Sequence, residues 1–431
     1  MLYTIVHMFK LATVTPEVIK NKTVLVRVDF NVPLKEVSGK WQVADDRRLR
    51  RALPTIAVLI KNHAKVILMS HLGRPKKPQD PKYSLRPIAE HIHKNFGIPI
   101  AYCSATVGPA VHEAVAQQQP GTVLLLENLR YHKEEKENDP EFARQLASVA
   151  DVYINEAFSA SHREHASVVG VTEYLPSFAG LALTEEVSAL YALMEEPKRP
   201  FVVVLGGAKI SDKVGALQNL SKLADIVLIG GAAANNFLKA EGFEIYRSFV
   251  EEKIGAGAAE KDYSKVARRI IAEHKTEKIL KDGYIPLPKI LYPVDVVAAP
   301  SLETKSESRV QVVDLHTHMA DTDESVQLFY LDIGPKTRKL YSEIIAKAGT
   351  VFWNGPMGVW ENPLFAEGTK SVAKAIVKTT AKTVIGGGDT IAAAGYFHVE
   401  HKFSYVSAAG GAALELLSGQ VLPGLKPIML N

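Results

Sequence analysis

The feature that most restricts this chain is an alternation, kept up along its length, of short apolar runs with longer stretches of helical period. Residues 23–32, 65–70, 122–127 and 151–156, and in the second half 201–205, 226–229, 290–298, 350–353 and 383–385, read as buried strands. Between them lie amphipathic stretches. Residues 45–63 place carboxylates ahead of an apolar periodic run, and residues 84–96 open at Ser84 and stop at Gly97. Strands buried on both faces need helices above and below, and parallel neighbours need crossovers. The pattern predicts an α/β fold: two Rossmann-like domains, each a parallel sheet covered by helices on both faces. Residues 184–196, followed by Pro197 and Pro200, are expected to form a helical hinge between residues 1–190 and 191–411.

Bulk properties agree with such a chain and exclude others. At 431 residues and 47% hydrophobic it can bury two cores. Its 51 basic residues are nearly matched by 47 acidic ones, leaving no global surplus suited to nucleic acid. Cys103 is the single cysteine, so no internal disulfide forms and a reducing cytoplasm fits. No apolar run approaches the roughly 20 residues that span a bilayer, so a soluble protein without a membrane partner is expected. Residues 1–10 lack the pattern of a signal peptide, and Met8 is an alternative start. The charged stretch 132–141 reads as a solvated loop.

In open parallel sheets, ligands sit outside the carboxyl ends of the strands, and here those ends differ between the halves. The first half places Arg27, Asp29 and Asn31 after one run, then His71, Gly73 and Arg74, then Arg130, then Arg163 flanked by His162 and His165. A lone arginine after a strand is ordinarily a surface or salt-bridge residue, but recurrence after successive strands suits a small, multiply anionic ligand. Neither His162 with His165 nor His91 with His93 brings the partners a metal site needs. The second half ends its strands in glycines instead: Gly206-Gly207, Gly230-Gly231, Gly355, Gly386-Gly387-Gly388 and Gly410-Gly411. Glycine lets backbone N–H groups approach phosphates, and helix starts favour anions. Lys209 and Lys213 flank Ser211, expected to cap a helix there, and can meet transferring phosphate oxygens. Asp389 is either an N-cap or a carboxylate near magnesium on nucleotide phosphates, and Glu361 suits a ribose hydroxyl. Neither a P-loop nor a dinucleotide fingerprint is present.

Taken together, Arg-Val-Asp-Phe-Asn-Val-Pro, Ser-His-Leu-Gly-Arg-Pro, Glu-Asn-Leu-Arg, Leu-Gly-Gly-Ala-Lys-Ile-Ser-Asp-Lys, Leu-Asp-Ile-Gly-Pro-Lys-Thr, Trp-Asn-Gly-Pro-Met-Gly-Val-Trp-Glu and Gly-Gly-Gly-Asp-Thr resemble the phosphoglycerate kinase family, in order, from about residue 22 to 424. The resemblance implies a cytoplasmic, monomeric enzyme of glycolysis. Its reaction would be reversible transfer of the acyl phosphate of 1,3-bisphosphoglycerate to MgADP, giving 3-phosphoglycerate and MgATP. It implies a glycerate site of Asp29, Asn31, Arg48, His71, Gly73, Arg74, Arg130 and Arg163. A nucleotide site would comprise Gly207, Lys213, Gly231, Asn354, Glu361, Gly387, Gly388, Asp389 and Thr390, with Asp389 toward Mg2+ and no organic prosthetic group. Arg48, Lys209 and Lys213 would be catalytic, and residues 412–431 would pack back on the first half. Ala408 and Ala409 replace a threonine and a glycine of the family pattern, Ala232 a glycine, and Tyr330 a small residue, so an altered nucleotide pocket is expected.

In-line transfer needs placement and charge neutralisation more than a covalent nucleophile, and two half-sites must close on each other to exclude water. Two other readings are a nucleotide-dependent oxidoreductase, opposed by the missing fingerprint, and a non-catalytic anion- or nucleotide-binding relative of the same fold, supported by Ala408 and Ala409 alone.

Overall fold

The computed structural model describes residues 10–77, 79–251, 253–254, 261–274, 277–279, 286–317 and 327–430. The expectations for the start of the chain, Met8 included, lie outside the described residues. The chain divides into two compact units, one ending at Ser188 and resuming at Val421, the other Ala189–Gln420. The predicted connector is the helix Leu181–Met194, within which the first unit gives way to the second. Its first turn is satisfied from outside: the Glu156 carboxylate accepts the N–H groups of Ala182 and Leu183 and the Thr55 hydroxyl.

The first unit is built on a six-stranded parallel sheet. From edge to edge it runs Ile100–Tyr102, Val123–Leu125, Lys65–Met69, Thr23–Arg27, Val152–Asn155 and Ser177–Ala179. Successive residues go to opposite cores, as the period of two demands. Val24, Val66 and Leu68 pack with Leu49, Ile56 and Ile88 of the helices Arg47–Lys61 and Arg86–Phe96. Leu25, Ile67 and Leu124 pack with Phe142 and Leu146 of Pro140–Ala147 and Val111 of Pro109–Gln117. The end of the chain also belongs here, with Met429–Leu430 antiparallel to Lys10–Leu11 and Gly424 N–H donating to Ser161. The return starts later than residue 412, because the helix Gly411–Leu417 packs on Val214–Leu223 in the second unit, where Asn219 Nδ2 donates to Leu417 O.

The second unit repeats the scheme in a six-stranded parallel sheet ordered Ile290–Leu291, Ile226–Ile229, Phe201–Leu205, Thr350–Asn354, Lys382–Gly386 and Tyr405–Ser407. Val202, Val204 and Val351 bury against Tyr341 and Ile345 of Pro335–Ala346 and Val372 of Glu367–Lys378. Residues 290–298 are not one strand. Pro293, which lacks an N–H for the ladder, separates Ile290–Leu291 from Asp295–Ala299. Asp295–Ala299 instead centres a three-stranded antiparallel sheet between Gln311–Asp314 and Phe329–Ile333. The edge strands Ile100–Tyr102, Ser177–Ala179 and Tyr405–Ser407 were too short and too mixed in exposure to be read from hydropathy. Residues 132–141 are not simply a solvated loop either: they contain the helix Glu134–Glu137, whose Glu135 is fully buried.

Candidate active site

In each sheet the chain leaves its first strand to one side and later returns on the other, and ligands collect at that switch point. In the first unit it lies between Thr23–Arg27 and Val152–Asn155. Asp29, just beyond, accepts from Arg48 Nη1 and Ser159 Oγ, both at 2.5 Å, and from the Asn31 N–H at 3.2 Å. Arg48 is delivered by the first turn of Arg47–Lys61. Asn31 Oδ1 accepts the Gly73 N–H at 2.8 Å, and the Gly73 carbonyl accepts Arg130 Nη1 at 2.6 Å. Gly73 has φ +58° and a Cβ there would lie 2.3 Å from Tyr83 Cε1, so this turn requires glycine. Arg74 is exposed, and Arg163 Nε donates to His162 Nε2 at 3.2 Å.

Charge shows that the basic side chains converge. Burial, followed by the charges of Arg163 and Arg27, pulls the Arg130 guanidinium down to about 10. Burial, followed by Arg27, Arg130, Arg163 and Arg48, holds His71 well below its ordinary range. His71 is therefore neutral. Arg27 Nη2 lies 3.0 Å from its Nδ1, and a guanidinium only donates, so Nδ1 accepts and the proton sits on Nε2. Arg27, 1% exposed, also donates to Ser167 Oγ, which donates in turn to Glu135 Oε1 at 2.7 Å. Sequence reading missed this buried support because Glu135 sits in a stretch whose composition is that of a surface loop. Among the described residues, Arg130 Nε and His162 Nδ1 are buried without a hydrogen-bond partner. Crowded like charges with unmet donors are unfavourable by themselves and suit an anion. No group of three metal-ligating side chains occurs among the described residues.

In the second unit the switch point lies between Phe201–Leu205 and Thr350–Asn354. The loops leaving these strands interlock: Gly206 N–H donates to Asn354 O, Gly207 N–H to Pro356 O, and Gly355 N–H to Thr390 Oγ1. A Cβ on Gly355 (φ +95°) would fall 2.2 Å from Gly206 O. The result is a cleft of about 750 Å³, reached by Lys209, Lys213, Asn354, Asp389 and Thr390, with the glycines Gly207, Gly387 and Gly388 on its walls. Gly387 caps the helix Gly388–Tyr396, so Asp389 lies in the first turn and is not the N-cap. Nor does Ser211 cap a helix, since Val214–Leu223 begins after Lys213; Ser211 instead bonds the buried Glu251. Burial lowers the Lys213 ammonium, while Asp212, Asp389 and Glu251 pull it back up. Asn354 is 3% exposed and its Nδ2 has no partner among the described residues.

A second cavity of about 460 Å³ shares Gly207, Ala208, Pro356 and Asp389 with the cleft and continues to Gly231, Ala232 and Glu361. Its remaining walls are mainly apolar, including Phe249, Leu302, Tyr330 and Trp360. The expected nucleotide residues thus divide, with Gly231 and Glu361 beside the apolar cavity and the others around the cleft. Of the departures, Tyr330 and Ala232 line the apolar cavity, whereas Gly410 and Gly411, not Ala408 or Ala409, line the cleft. Phe249 and Leu302 were missed because each is a single apolar side chain in a loop with no polar chemistry to mark it, and Leu302 follows a strand that hydropathy had run together with Ile290–Leu291.

Comparison with known proteins matches the family model described as phosphoglycerate kinase over residues 15–420. A phosphoglycerate kinase of Pseudothermotoga lettingae is 45% identical over 412 residues, 95% of this chain and 96% of the relative. One from Pelotomaculum thermopropionicum is 44% identical over 411 residues, 95% of this chain and 97% of the relative. Among solved structures, the phosphoglycerate kinase of Coxiella burnetii superposes with a TM-score of 0.80 at 34% identity, over 97% of this chain and 99% of the other.

Proposed function

Because the chain belongs to the phosphoglycerate kinase family, we propose that its basic first-unit site holds the glycerate and its glycine-walled second-unit cleft holds the nucleotide phosphates. The enzyme is a phosphotransferase with a carboxyl group as acceptor, acting between 3-phosphoglycerate and adenine nucleotide in glycolysis. In this reading Asp29, Asn31, Gly73 and Arg74 bind glycerate with Arg130 and Arg163, and His71 donates through Nε2. The base and ribose occupy the apolar cavity beside Gly231 and Glu361. Gly207, Lys213, Asn354, Gly387, Gly388 and Thr390 receive the phosphates. An exposed carboxylate in the first turn of a helix suits a magnesium ion that arrives on phosphate oxygens and keeps most of its water, and Asp389, on the wall of the cleft, is the residue that would hold it. That ion neutralises phosphate charge when bound. In this reading the protein acts in the cytoplasm as a monomer, as the family resemblance implies.

The chemistry asks little beyond alignment and charge. The carboxylate of 3-phosphoglycerate and the terminal oxygen of ADP exchange one phosphoryl group in line, and no residue needs to be covalently modified. Arg48, oriented by Asp29, and Lys209 neutralise the equatorial oxygens during transfer, and Lys213 steadies the nucleotide phosphates. The observation that carries this reading is the crowding of Arg27, Arg130 and Arg163 around neutral His71, with Arg130 Nε buried and without a hydrogen-bond partner among the described residues, in a chain whose other unit offers a glycine-walled cleft. With Arg48, Lys209 and Lys213 all present, the non-catalytic alternative has no support. A coupled assay of ATP formation from 1,3-bisphosphoglycerate and ADP tests it. Absence of turnover by folded protein refutes the assignment.

A further inference from the structure

Residues 249–251 lead from the rim of the apolar cavity to Ser211, which lines the cleft, and neighbouring asparagines of the helix Ala233–Ala240 hold both ends. Asn235 Nδ2 donates to Phe249 O and Asn236 Nδ2 to Glu251 O, each at 2.9 Å. Both asparagines are buried. Phe249 itself remains 49% exposed on the rim of the apolar cavity. Glu251, two residues on, is 7% exposed and turns the other way. Its Oε2 accepts the Ser211 N–H at 2.8 Å and its Oε1 accepts Ser211 Oγ at 2.6 Å. Ser211 stands midway between Lys209 and Lys213, in a turn closed by Lys213 N–H on Ile210 O.

We propose that Glu251 is a positioning residue for phosphoryl transfer: through Ser211 it fastens the turn carrying Lys209 and Lys213 to a segment whose other end forms the rim of the base cavity. This rests on the reading that those lysines serve the transferring phosphates. The physical case is one of constraint. A lysine side chain has many rotamers and places its charge well only if its backbone is fixed. The helix Val214–Leu223 has no side-chain cap, so the turn before it is not secured from that end. Two hydrogen bonds from one residue to a buried carboxylate are among the stronger that a neutral donor can make. Glu251 also acts by charge, since together with Asp212 and Asp389 it opposes the effect of burial on Lys213.

The test is steady-state ATP formation, with melting temperature and a pH profile of kcat, for Ser211→Ala, Glu251→Gln and the double variant. Each single change is expected to lower kcat about tenfold, with KM for ADP held within about twofold, because a loosened lysine pair fails in the transition state more than in binding. The double variant should be no slower than the slower single, since both remove one contact. Glu251→Gln should also move the alkaline limb of kcat to lower pH, because Lys213 then loses its proton more readily, while Ser211→Ala leaves that limb in place. A merely structural Glu251 would lower the melting temperature without moving the limb. The proposal is overturned by kcat within about twofold of the unaltered enzyme in the folded variants, by losses that multiply in the double, or by an unmoved limb in Glu251→Gln. Should Glu251→Gln fail to fold, kcat of Ser211→Ala decides. Lys213→Ala run alongside separates the two claims: full kcat there removes the premise that the lysines serve transfer, whatever Ser211→Ala shows.

Discussion

Replacing Arg48 by alanine should separate catalysis from binding and stability more cleanly than any other single change in the first-unit site. Its guanidinium lies 2.5 Å from Asp29 Oδ2 with the arginine side chain 36% exposed and the aspartate 15%. A pair that wet contributes about 1 kcal/mol or less to folding, so the melting temperature should barely move. Binding should suffer moderately, because the variant leaves the Asp29 carboxylate facing an anionic substrate with Ser159 Oγ and the Asn31 N–H as its remaining donors. The main loss falls on the chemical step. Removing one preorganised donor from developing charge costs roughly 2.7–4 kcal/mol, or about a hundredfold to a thousandfold in kcat. Arg48→Lys should recover little, since one ammonium cannot meet Asp29 and a phosphoryl oxygen with the fork geometry of arginine. Stopped-flow and steady-state measurement of ATP formation, with glycerate affinity taken by calorimetry, supply both numbers. A kcat within about tenfold of the unaltered enzyme, with glycerate affinity lost instead, would show that Arg48 only binds and would refute its catalytic role.

Three further outcomes are expected. Asp389→Asn should weaken MgADP far more than metal-free ADP in calorimetric titrations, and equal weakening of the two would assign Asp389 to the start of its helix alone. Gly355→Ala forces a Cβ to 2.2 Å from Gly206 O at φ +95°, so it should destabilise the second unit by about 1–3 kcal/mol in urea unfolding and raise KM for ADP at least tenfold. Unchanged nucleotide affinity would mean that the interlocked loops do not shape the site. Burial pushes the Asp332 carboxyl up to about 8, against N–H groups of Ile333 and Gly368 that favour the ionised form. A carboxyl raised in the folded state stabilises most below its unfolded value and loses that contribution as pH rises through about 8. Relative to Asp332→Asn, which has no proton to lose, the unaltered protein should therefore lose a few kcal/mol between about pH 4 and 8, and a flat difference would mean an ionised Asp332.

Much of the architecture was legible because its signals are local. Phe201–Leu205 and Ile226–Ile229 are fully buried strands at the residues where apolar runs stand, and every expected site residue follows such a run or opens the helix beyond it. The edge strands escaped notice because three residues with one wet face carry too little pattern, and the antiparallel sheet because its strands are interrupted by Pro293 and scattered along the chain. Glu135 and Glu251 were illegible for a different reason. Each is a buried acid in a charged stretch, and only the partner that reaches it from far along the chain, Ser167 or Ser211, accounts for its burial.

What the residues determined unaided was therefore the chemistry on offer: arginines after the strands of one half, glycines and two lysines after those of the other. Apolar period, proline and glycine act within a few residues of where they stand, so they can be read in order. Tertiary structure alone decided which of these groups share an environment. Arg27 and Arg130 press on the same histidine, Asn354 is left with an unmet donor at the cleft, and Ser211 turns from a helix cap into a tether. Such effects depend on distance through space, which falls to a few ångströms only when remote strands pair and bring their ends together.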